Sequence, residues 1–243
     1  MIEFLNNIDT QVFLFFNGIH FAYLDKLMPL ITAKFTWVPM YATILFVLFK
    51  GYSWKQGLAL LLGIVLAITL ADQICATFIR PVVERMRPSN IDNPLSPFVH
   101  IVNGYRGGRY GFPSCHAANS FALAAIVSLI VRYRRCTLFI FGWAALNSYS
   151  RIYLGVHYPG DLICGAIIGM ACGAFCYYVT CYFAGIRRRA KDYTPMSVIY
   201  ATEAGPLLAP VLGLKIVNIR ISDVFTAAGY ATILTLATVA LFL

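Results

Sequence analysis

Apolar residues run along this chain in six long stretches, at 27–49, 57–79, 116–133, 136–152, 160–184 and 223–243, most of them separated by short polar turns. A helix needs about 20 such residues to cross roughly 30 Å of hydrocarbon. An isolated strand would leave backbone groups unpaired in lipid, so the stretches predict helices. The expected fold is all-α, a polytopic membrane helical bundle with about six transmembrane helices. The first two dozen residues follow another pattern. Phe4, Leu5, Ile8, Val12, Phe15, Phe16 and Ile19 recur at helical spacing, with Asn6, Asn7, Asp9 and Gln11 between them. That predicts an amphipathic helix lying in the membrane interface, and a core-facing helix satisfies the same pattern. No solenoid repeat or low-complexity linker divides the chain. The simplest division is one membrane-embedded domain over 1–190, N-terminal helix included, and a C-terminal extension over 191–243 that carries the last span.

Composition supports lipid as the main solvent. Of the 243 residues, 60% are hydrophobic and 12% charged. Soluble domains carry about twice that charged share. The formal charge of +9 would suggest nucleic acid as the partner of a soluble chain. Beside apolar spans it fits basic cytoplasmic loops instead, so the expected partners are the bilayer and a lipid, with no nucleic acid. The seven cysteines are Cys75, Cys115, Cys136, Cys164, Cys172, Cys176 and Cys181. Their number is odd and no CxxC pair occurs, so they read as small packing residues rather than a disulfide framework or zinc site. The segment "MIEFLNNIDT" has no basic n-region and no small-residue cleavage site, so no cleavable signal peptide is expected.

Charge then sets orientation. Lys50 and Lys55 sit in one turn, Arg132, Arg134 and Arg135 in another, and Arg187, Arg188, Arg189 and Lys191 follow the fifth stretch. With six spans these three loops share a face, which the positive-inside rule makes cytoplasmic. Arg80, Arg87, Arg106, Arg109 and Arg151 fall on the opposite face, against that rule. Arginines held there need another reason, and a bound anion supplies one.

Three clusters lie on that outer face: "RPVVERMRP" with Arg80 and Arg87, "PSCH" with Ser114 and His116, and "SRIYLGVHYPGD" with Arg151, His157 and Asp161. Arg80 and Arg87 are nearly two helical turns apart, which predicts one shared face. Guanidinium groups bind phosphate oxygens in pairs and stay charged. "PSCHAANS" predicts a helix start, where unpaired backbone N–H groups, the helix dipole and the Ser114 hydroxyl make an anion seat. The small Ala117 and Ala118 leave room for a close helix or a ligand. A neutral imidazole is a nucleophile, and a protonated one can give its proton to a leaving oxygen. Asp161 stands four residues after His157, close enough on one helical turn to fix its tautomer. Arg151 would then hold the anion, His157 attack it and Asp161 orient His157.

Together the clusters resemble the signature of the phosphatidic acid phosphatase type 2 superfamily, which reads Lys-x6-Arg-Pro, Pro-Ser-Gly-His and Ser-Arg-x5-His-x3-Asp. Here they are Arg80-x6-Arg87-Pro88, Pro113-Ser114-Cys115-His116 and Ser150-Arg151-x5-His157-x3-Asp161, within a match over roughly 55–185. Arg80 stands in place of lysine and Cys115 in place of glycine. The resemblance implies that Arg80, Arg87, Arg151, Ser114 and the amides near Cys115 and His116 bind phosphate. It also implies that His116 is the general acid, that His157 forms a phosphohistidine and that Asp161 is its partner. No metal and no other cofactor is implied for hydrolysis.

The expected function is hydrolysis of a lipid phosphomonoester or pyrophosphate in the inner (plasma) membrane, at a site on the periplasmic or extracytoplasmic side. Undecaprenyl pyrophosphate leads the expected substrates, followed by lipid A phosphate, phosphatidylglycerol phosphate and phosphatidic acid. A lipid phosphotransferase would use the same residues. A non-enzymatic binder or transporter of anionic lipids would need the arginines but not the two histidines. A haloperoxidase is disfavoured, since that chemistry suits a soluble chain.

Other ionisable residues carry weaker expectations. Asp72 lies about 12 Å below Arg80 along one helix, and an ion pair with an arginine is expected ahead of a place in a substrate cavity. Lys34 is expected to snorkel to the outer surface. His100, Arg106 and Arg109 lie in the loop 90–112, which fits a lid contacting the headgroup or an ordinary solvated loop. The stretch 197–219, with Glu203, Pro206, Pro210 and Lys215, fits a broken span, a re-entrant segment or a surface helix.

Overall fold

The computed structural model describes residues 2–186 and 221–242, and within them every regular element is a helix. Helix α1 spans Ile2–Gly18 and α2 spans Ala22–Thr32. The chain extends at Ala33, makes a 3₁₀ turn over Lys34–Trp37 and continues as α3, Val38–Gly51. The stretch expected as one span at 27–49 is therefore broken, with its two parts bent by 69°. Extended backbone at Ala33 (ψ 130°) ends α2, and Pro39 starts α3 at a position where its missing N–H costs nothing.

Helix α4, Trp54–Gln73, widens into a π-helical turn over Ile74–Ile79 and closes as the short α5, Arg80–Val83. Pro81, which has no N–H to donate, follows the widened turn. Then come α6 (Cys115–Val131), α7 (Arg134–Tyr153), α8 (Pro159–Phe183) and α9 (Ile221–Phe242).

Among the described residues, three helical stretches are long and apolar enough to cross a membrane: Trp54–Val83, Pro159–Phe183 and Asp223–Phe242. The bent pair Ala22–Thr32 and Lys34–Gly51 is a fourth when taken as one broken span. The stretch 116–133 is a helix of 17 residues, short for a span. The stretch 136–152 is a helix whose last turns bury Asn147, Ser148, Ser150 and Arg151. The basic residues 187–191 and the stretch 197–219 lie outside the described residues.

Helix α6 sits at the centre, buried along most of its length from Ala117 to Val131. Its closest neighbour is α8, and the reason is local sequence. Gly165, Gly169 and Gly173 recur every four residues and present bare backbone to α6. A Cβ on Gly169 would collide with the Ala118 carbonyl, and one on Gly165 with the Ser114 carbonyl. Small residues let helices approach closely where lipid leaves van der Waals packing as the main attraction. The close neighbour expected beside Ala117 and Ala118 is thus a helix. Next to it, Trp37 and Trp143 meet edge to face at 5.7 Å in the main core, with Met40, Ile44, Leu60, Ile126 and Ile140. Leu62, Val65, Leu66, Ile163, Ile167 and Phe175 are exposed on the outside of α4 and α8. That much exposed apolar surface suits contact with lipid.

Candidate active site

The three sequence clusters come together where α5 ends, α6 begins and α7 turns into α8. Helix α6 starts directly after Ser114, whose hydroxyl accepts the Ala117 N–H at 3.4 Å as an N-cap. The Ser114 N–H donates to the Asp161 carbonyl at 3.0 Å, tying the second cluster to the third. Tyr158 caps α8, Pro159 occupies its first turn, and the buried Asp161 carboxylate accepts the Tyr158 N–H at 3.0 Å.

Arg80 and Arg87 do not share a helical face. Glu84 adopts a left-handed conformation (φ 48°) and ends the helix at Val83. Arg87 instead comes from the loop, where a Met86–Tyr110 bridge pairs residues 85–87 with 109–111. The Arg87 N–H reaches the Arg109 carbonyl at 3.1 Å, and the Gly111 N–H reaches the Arg85 carbonyl at 2.9 Å. Glycine at 111 leaves room for the site, since a Cβ there would crowd Arg87 Cγ at 3.0 Å, Asp161 Oδ2 at 3.3 Å and His157 Nδ1 at 3.4 Å.

His157 is 2% exposed. Its Nε2 lies 2.8 Å from Arg87 Nη1 and its Nδ1 lies 3.2 Å from Asp161 Oδ2. A guanidinium can only donate, so Nε2 accepts and the ring proton sits on Nδ1, donated to Asp161. Burial, helped by Arg87 and Arg151 and opposed by Asp161, pushes the imidazole down to about 4. The ring is therefore neutral at pH 7, with the Nε2 lone pair directed at the arginines.

Asp161 is held from several sides. Its Oδ1 accepts Arg85 Nη1 at 2.9 Å, and Arg85 Nη2 reaches Asp9 Oδ2 at 2.8 Å. Arg85 also lies over the Tyr158 ring at 4.0 Å, and Asp9 Oδ1 accepts the Gly160 N–H at 2.8 Å. Helix α1 thus braces the start of α8. Sequence reasoning missed both Arg85 and Asp9.

The other arginines surround this pair. Arg80 donates to the Pro113 carbonyl at 3.0 Å and to Cys115 Sγ at 2.8 Å. Arg151, 8% exposed, donates to Thr32 Oγ1 at 3.0 Å and to the Tyr105 hydroxyl at 3.4 Å. The Nε atoms of Arg80, Arg87 and Arg151 are buried without a hydrogen-bond partner. Burial, together with the neighbouring charges of Arg80 and Arg151, lowers Arg87 to about 10. The guanidinium still carries its charge at pH 7, and an anion among the three would relieve both their repulsion and their unpaired donors.

His116 Nε2 lies 2.9 Å from Asn147 Oδ1 and 3.1 Å from Thr32 Oγ1. Asn147 Nδ2 in turn donates to Ser120 Oγ at 2.9 Å. An amide oxygen only accepts, so Nε2 of His116 carries a proton here. Asn147 precedes Arg151 by one turn of α7, and a polar residue inside an apolar stretch was a legible signal for it. Nothing in the sequence singled out Thr32 or Tyr105.

Several expected contacts are placed elsewhere. Asp72 accepts Asn119 Nδ2 at 2.9 Å instead of pairing with an arginine. Arg106 binds the Ser89 carbonyl at 2.6 Å and Ser96 Oγ at 2.8 Å, so it holds the loop together. His100 pairs with Asp25 at 2.8 Å and stacks on His20 at 3.8 Å. Arg109 is exposed, with Asp92 at 3.9 Å. Among the described residues no group of three His, Cys, Asp or Glu side chains is arranged to hold a metal ion.

A neutral buried imidazole held by a carboxylate, a second histidine and three arginines with buried, unpartnered Nε atoms suit transfer of a phosphoryl group. Comparison with known proteins agrees with that chemistry. The family model of the PAP2 superfamily matches residues 56–184. A lipid A 4'-phosphatase of Bacteroides thetaiotaomicron is 55% identical over 179 residues, 74% of this chain and 80% of that protein. A lipid A 4'-phosphatase of Porphyromonas gingivalis is 38% identical over 203 residues, 84% and 86% of the two chains. An undecaprenyl-diphosphatase of Sulfolobus acidocaldarius is 29% identical over 167 residues, 66% and 73%. Among solved structures, Aquifex aeolicus LpxE superposes with a TM-score of 0.52 at 22% identity, over 70% of this chain and 94% of that one. A PAP2 type phosphatidylglycerolphosphate phosphatase from Bacillus subtilis superposes with a TM-score of 0.53 at 22% identity, over 76% and 89%.

Proposed function

The chain belongs to the PAP2 superfamily, and on that footing we propose that it is a membrane lipid phosphatase that removes the 4'-phosphate of lipid A. The observation that carries the chemistry is the cluster of Arg80, Arg87 and Arg151, each with a buried Nε without a partner, around the His157 Nε2 lone pair that Arg87 covers. The choice of substrate rests on the relatives. Both lipid A 4'-phosphatases are more similar to this chain than the undecaprenyl-diphosphatase is. Lipid A phosphate therefore moves ahead of undecaprenyl pyrophosphate, the first expectation from sequence.

The proposed reaction has two steps. Phosphate oxygens take the N–H groups of Arg80, Arg87 and Arg151, assisted by Ser114 and the backbone amides near Cys115 and His116. Arg87 thereby releases Nε2 of His157, which attacks phosphorus in line. The P–O bond to the sugar breaks, its electron pair stays on the sugar oxygen, and His116 supplies the proton. Asp161 balances the charge that grows on His157 as the N–P bond forms. Water then attacks phosphorus and gives a proton to His116, and the N–P bond breaks to restore the His157 lone pair. All groups used are side chains and backbone amides of this chain.

Placement in the bilayer follows from charge and length. Arg132, Arg134 and Arg135 lie at the far end of α6 and α7 from the site, about 25 Å away along α6. The positive-inside rule makes that end cytoplasmic and the site periplasmic. In this reading the six helical stretches cross the inner membrane. Helix α1 lies at its outer surface, with Phe4, Leu5 and Phe15 exposed and Phe13 packed inward.

The test is phosphate release by purified protein, with EDTA present, from lipid A, undecaprenyl pyrophosphate, phosphatidylglycerol phosphate and phosphatidic acid. Lipid A losing its 4'-phosphate faster than the others lose theirs is the expected result. Loss of the other phosphate of lipid A, or no release from any of the four, would overturn the reading.

A further inference from the structure

We propose that Thr32, the last residue of α2, is a positioning residue that aims the proton-donating His116 at the leaving oxygen. The proposal rests on the phosphatase reading above, through the roles given there to Arg151 and His116. The three signature clusters all lie beyond residue 79, so this group comes from a part of the chain that the signature does not describe.

One hydroxyl meets two groups of the site. Thr32 Oγ1 lies 3.0 Å from Arg151 Nη1 and 3.1 Å from His116 Nε2. A guanidinium only donates, so the oxygen accepts from Arg151. His116 Nε2 carries the proton that Asn147 Oδ1 accepts at 2.9 Å, and Thr32 is a second oxygen beside that same N–H. Asn147 is itself held, since its Nδ2 donates to Ser120 Oγ at 2.9 Å. The ring is thus gripped at Nε2 from α7 and from α2, and Nδ1 is the nitrogen left to give a proton to substrate. The chain around Thr32 is pinned as well. Thr36 Oγ1 donates to the Leu30 carbonyl at 2.8 Å, and the buried Trp37 donates through Nε1 to the Ile31 carbonyl at 2.8 Å. Both carbonyls belong to the last turn of α2, so the 3₁₀ turn Lys34–Trp37 fixes the helix end that carries the hydroxyl.

Phosphate changes the sharing. Its oxygens take the N–H groups of Arg151, and Thr32 is left to His116 alone. Nε2–H then stays gripped while the Nδ1 proton passes to the leaving oxygen. The P–O bond breaks and its electron pair remains on that oxygen. Without the hydroxyl only Asn147 orients the ring, and a proton donor works only within hydrogen-bond reach of the atom it protonates. The effect of Thr32 is therefore tied to how much the leaving group needs a proton.

The test compares leaving groups. Thr32→Val keeps the shape of the side chain and removes the hydroxyl. A nitrophenolate leaves readily without a proton, whereas a sugar alkoxide does not. Thr32→Val is expected to lower kcat/KM at least about tenfold on lipid A, and less than about threefold on a nitrophenyl phosphate that carries an alkyl chain. Its Tm in detergent should match that of the wild type. Thr32→Ser, which restores the hydroxyl, should recover most of the loss on lipid A. Equal losses on the two substrates would mean that Thr32 acts on the phosphate through Arg151, or on folding, and would overturn the assignment. So would an unchanged rate on lipid A in Thr32→Val, or no recovery in Thr32→Ser. Release from neither substrate by the wild-type chain would instead overturn the phosphatase reading itself.

Discussion

Arg87 Nη1 donates to His157 Nε2 at 2.8 Å, so a phosphate-binding group of the proposed mechanism also covers its nucleophile. The contact fixes the tautomer and adds to burial, the larger cause, in keeping the imidazole neutral. It also means that attack requires the substrate to draw Arg87 away. Arg87→Lys keeps the charge but loses the planar fork that serves two partners. We expect kcat/KM on lipid A to fall by about 10- to 100-fold in that variant, while His157→Ala removes turnover altogether. Steady-state phosphate release by folded, monodisperse protein is the measurement, and activity retained in His157→Ala would reject the nucleophile.

The pH profile follows from burial of His157. Its imidazole is pushed down to about 4 from the ordinary value of 6.5. Only the neutral ring attacks, so the acid limb of kcat/KM should fall near pH 4 rather than near 6.5. Asp161 acts against the shift, because its carboxylate favours the charged ring. Asp161→Asn should therefore move the acid limb to still lower pH while kcat drops by about 10²- to 10⁴-fold. An acid limb that stays near 6.5 in the wild type would show that His157 is not the group being titrated. The sign for stability is the same. Between about 4 and 6.5 the unfolded chain binds the extra proton, so folding free energy is lost as pH falls through that window.

The candidate site was legible in the sequence where its residues sit in short, fixed spacings. Ser114 and His116 open one helix, and His157 and Asp161 are four residues apart around the start of another, so local geometry brings each pair together. The six apolar stretches likewise fall on helices. Legibility ended where distant segments supply the partner. Arg85 stands between Arg80 and Arg87, and nothing in its spacing marks it as the one that braces Asp161. Asp9 and Thr32 reach the site from α1 and α2, more than a hundred residues from Asp161 and Arg151. The projection of Arg80 and Arg87 onto one helical face failed because the left-handed Glu84 ends the helix between them. The break at Ala33 was hidden because Lys34 and Pro39, the marks near it, sit within an otherwise apolar stretch that reads as one span.

Arg85 is a positioning residue in this arrangement. It touches Asp161, Asp9 and the Tyr158 ring, and in the proposed mechanism it would act on the reaction only by holding the carboxylate that orients His157. Arg85→Ala is expected to lower kcat about tenfold while KM changes less than about twofold, with partial recovery in Arg85→Lys. A change confined to KM would place Arg85 on the substrate instead. Asp9→Asn removes only the outer end of this chain of contacts and should cost less.

The packing of α8 on α6 gives the last prediction, and it concerns stability. Gly169 lies so close to the Ala118 backbone that any Cβ must collide with it, and backbone on both sides cannot give way as a flexible side chain would. Overpacking of this kind costs about 1–3 kcal/mol or more. Gly142, on the exposed side of α7, has nothing within 4 Å of its Cβ position. There a side chain only removes the freedom of glycine, worth about 0.5–1 kcal/mol in a helix. Thermal unfolding in detergent should therefore show a lower Tm for Gly169→Ala and an equal or higher Tm for Gly142→Ala. Because Ser114 and Asp161 are linked across this same helix pair at 3.0 Å, the Gly169 variant should also lose phosphatase activity below its own Tm, and the Gly142 variant should not. Equal Tm values for the two substitutions would mean that α6 and α8 do not meet through bare backbone.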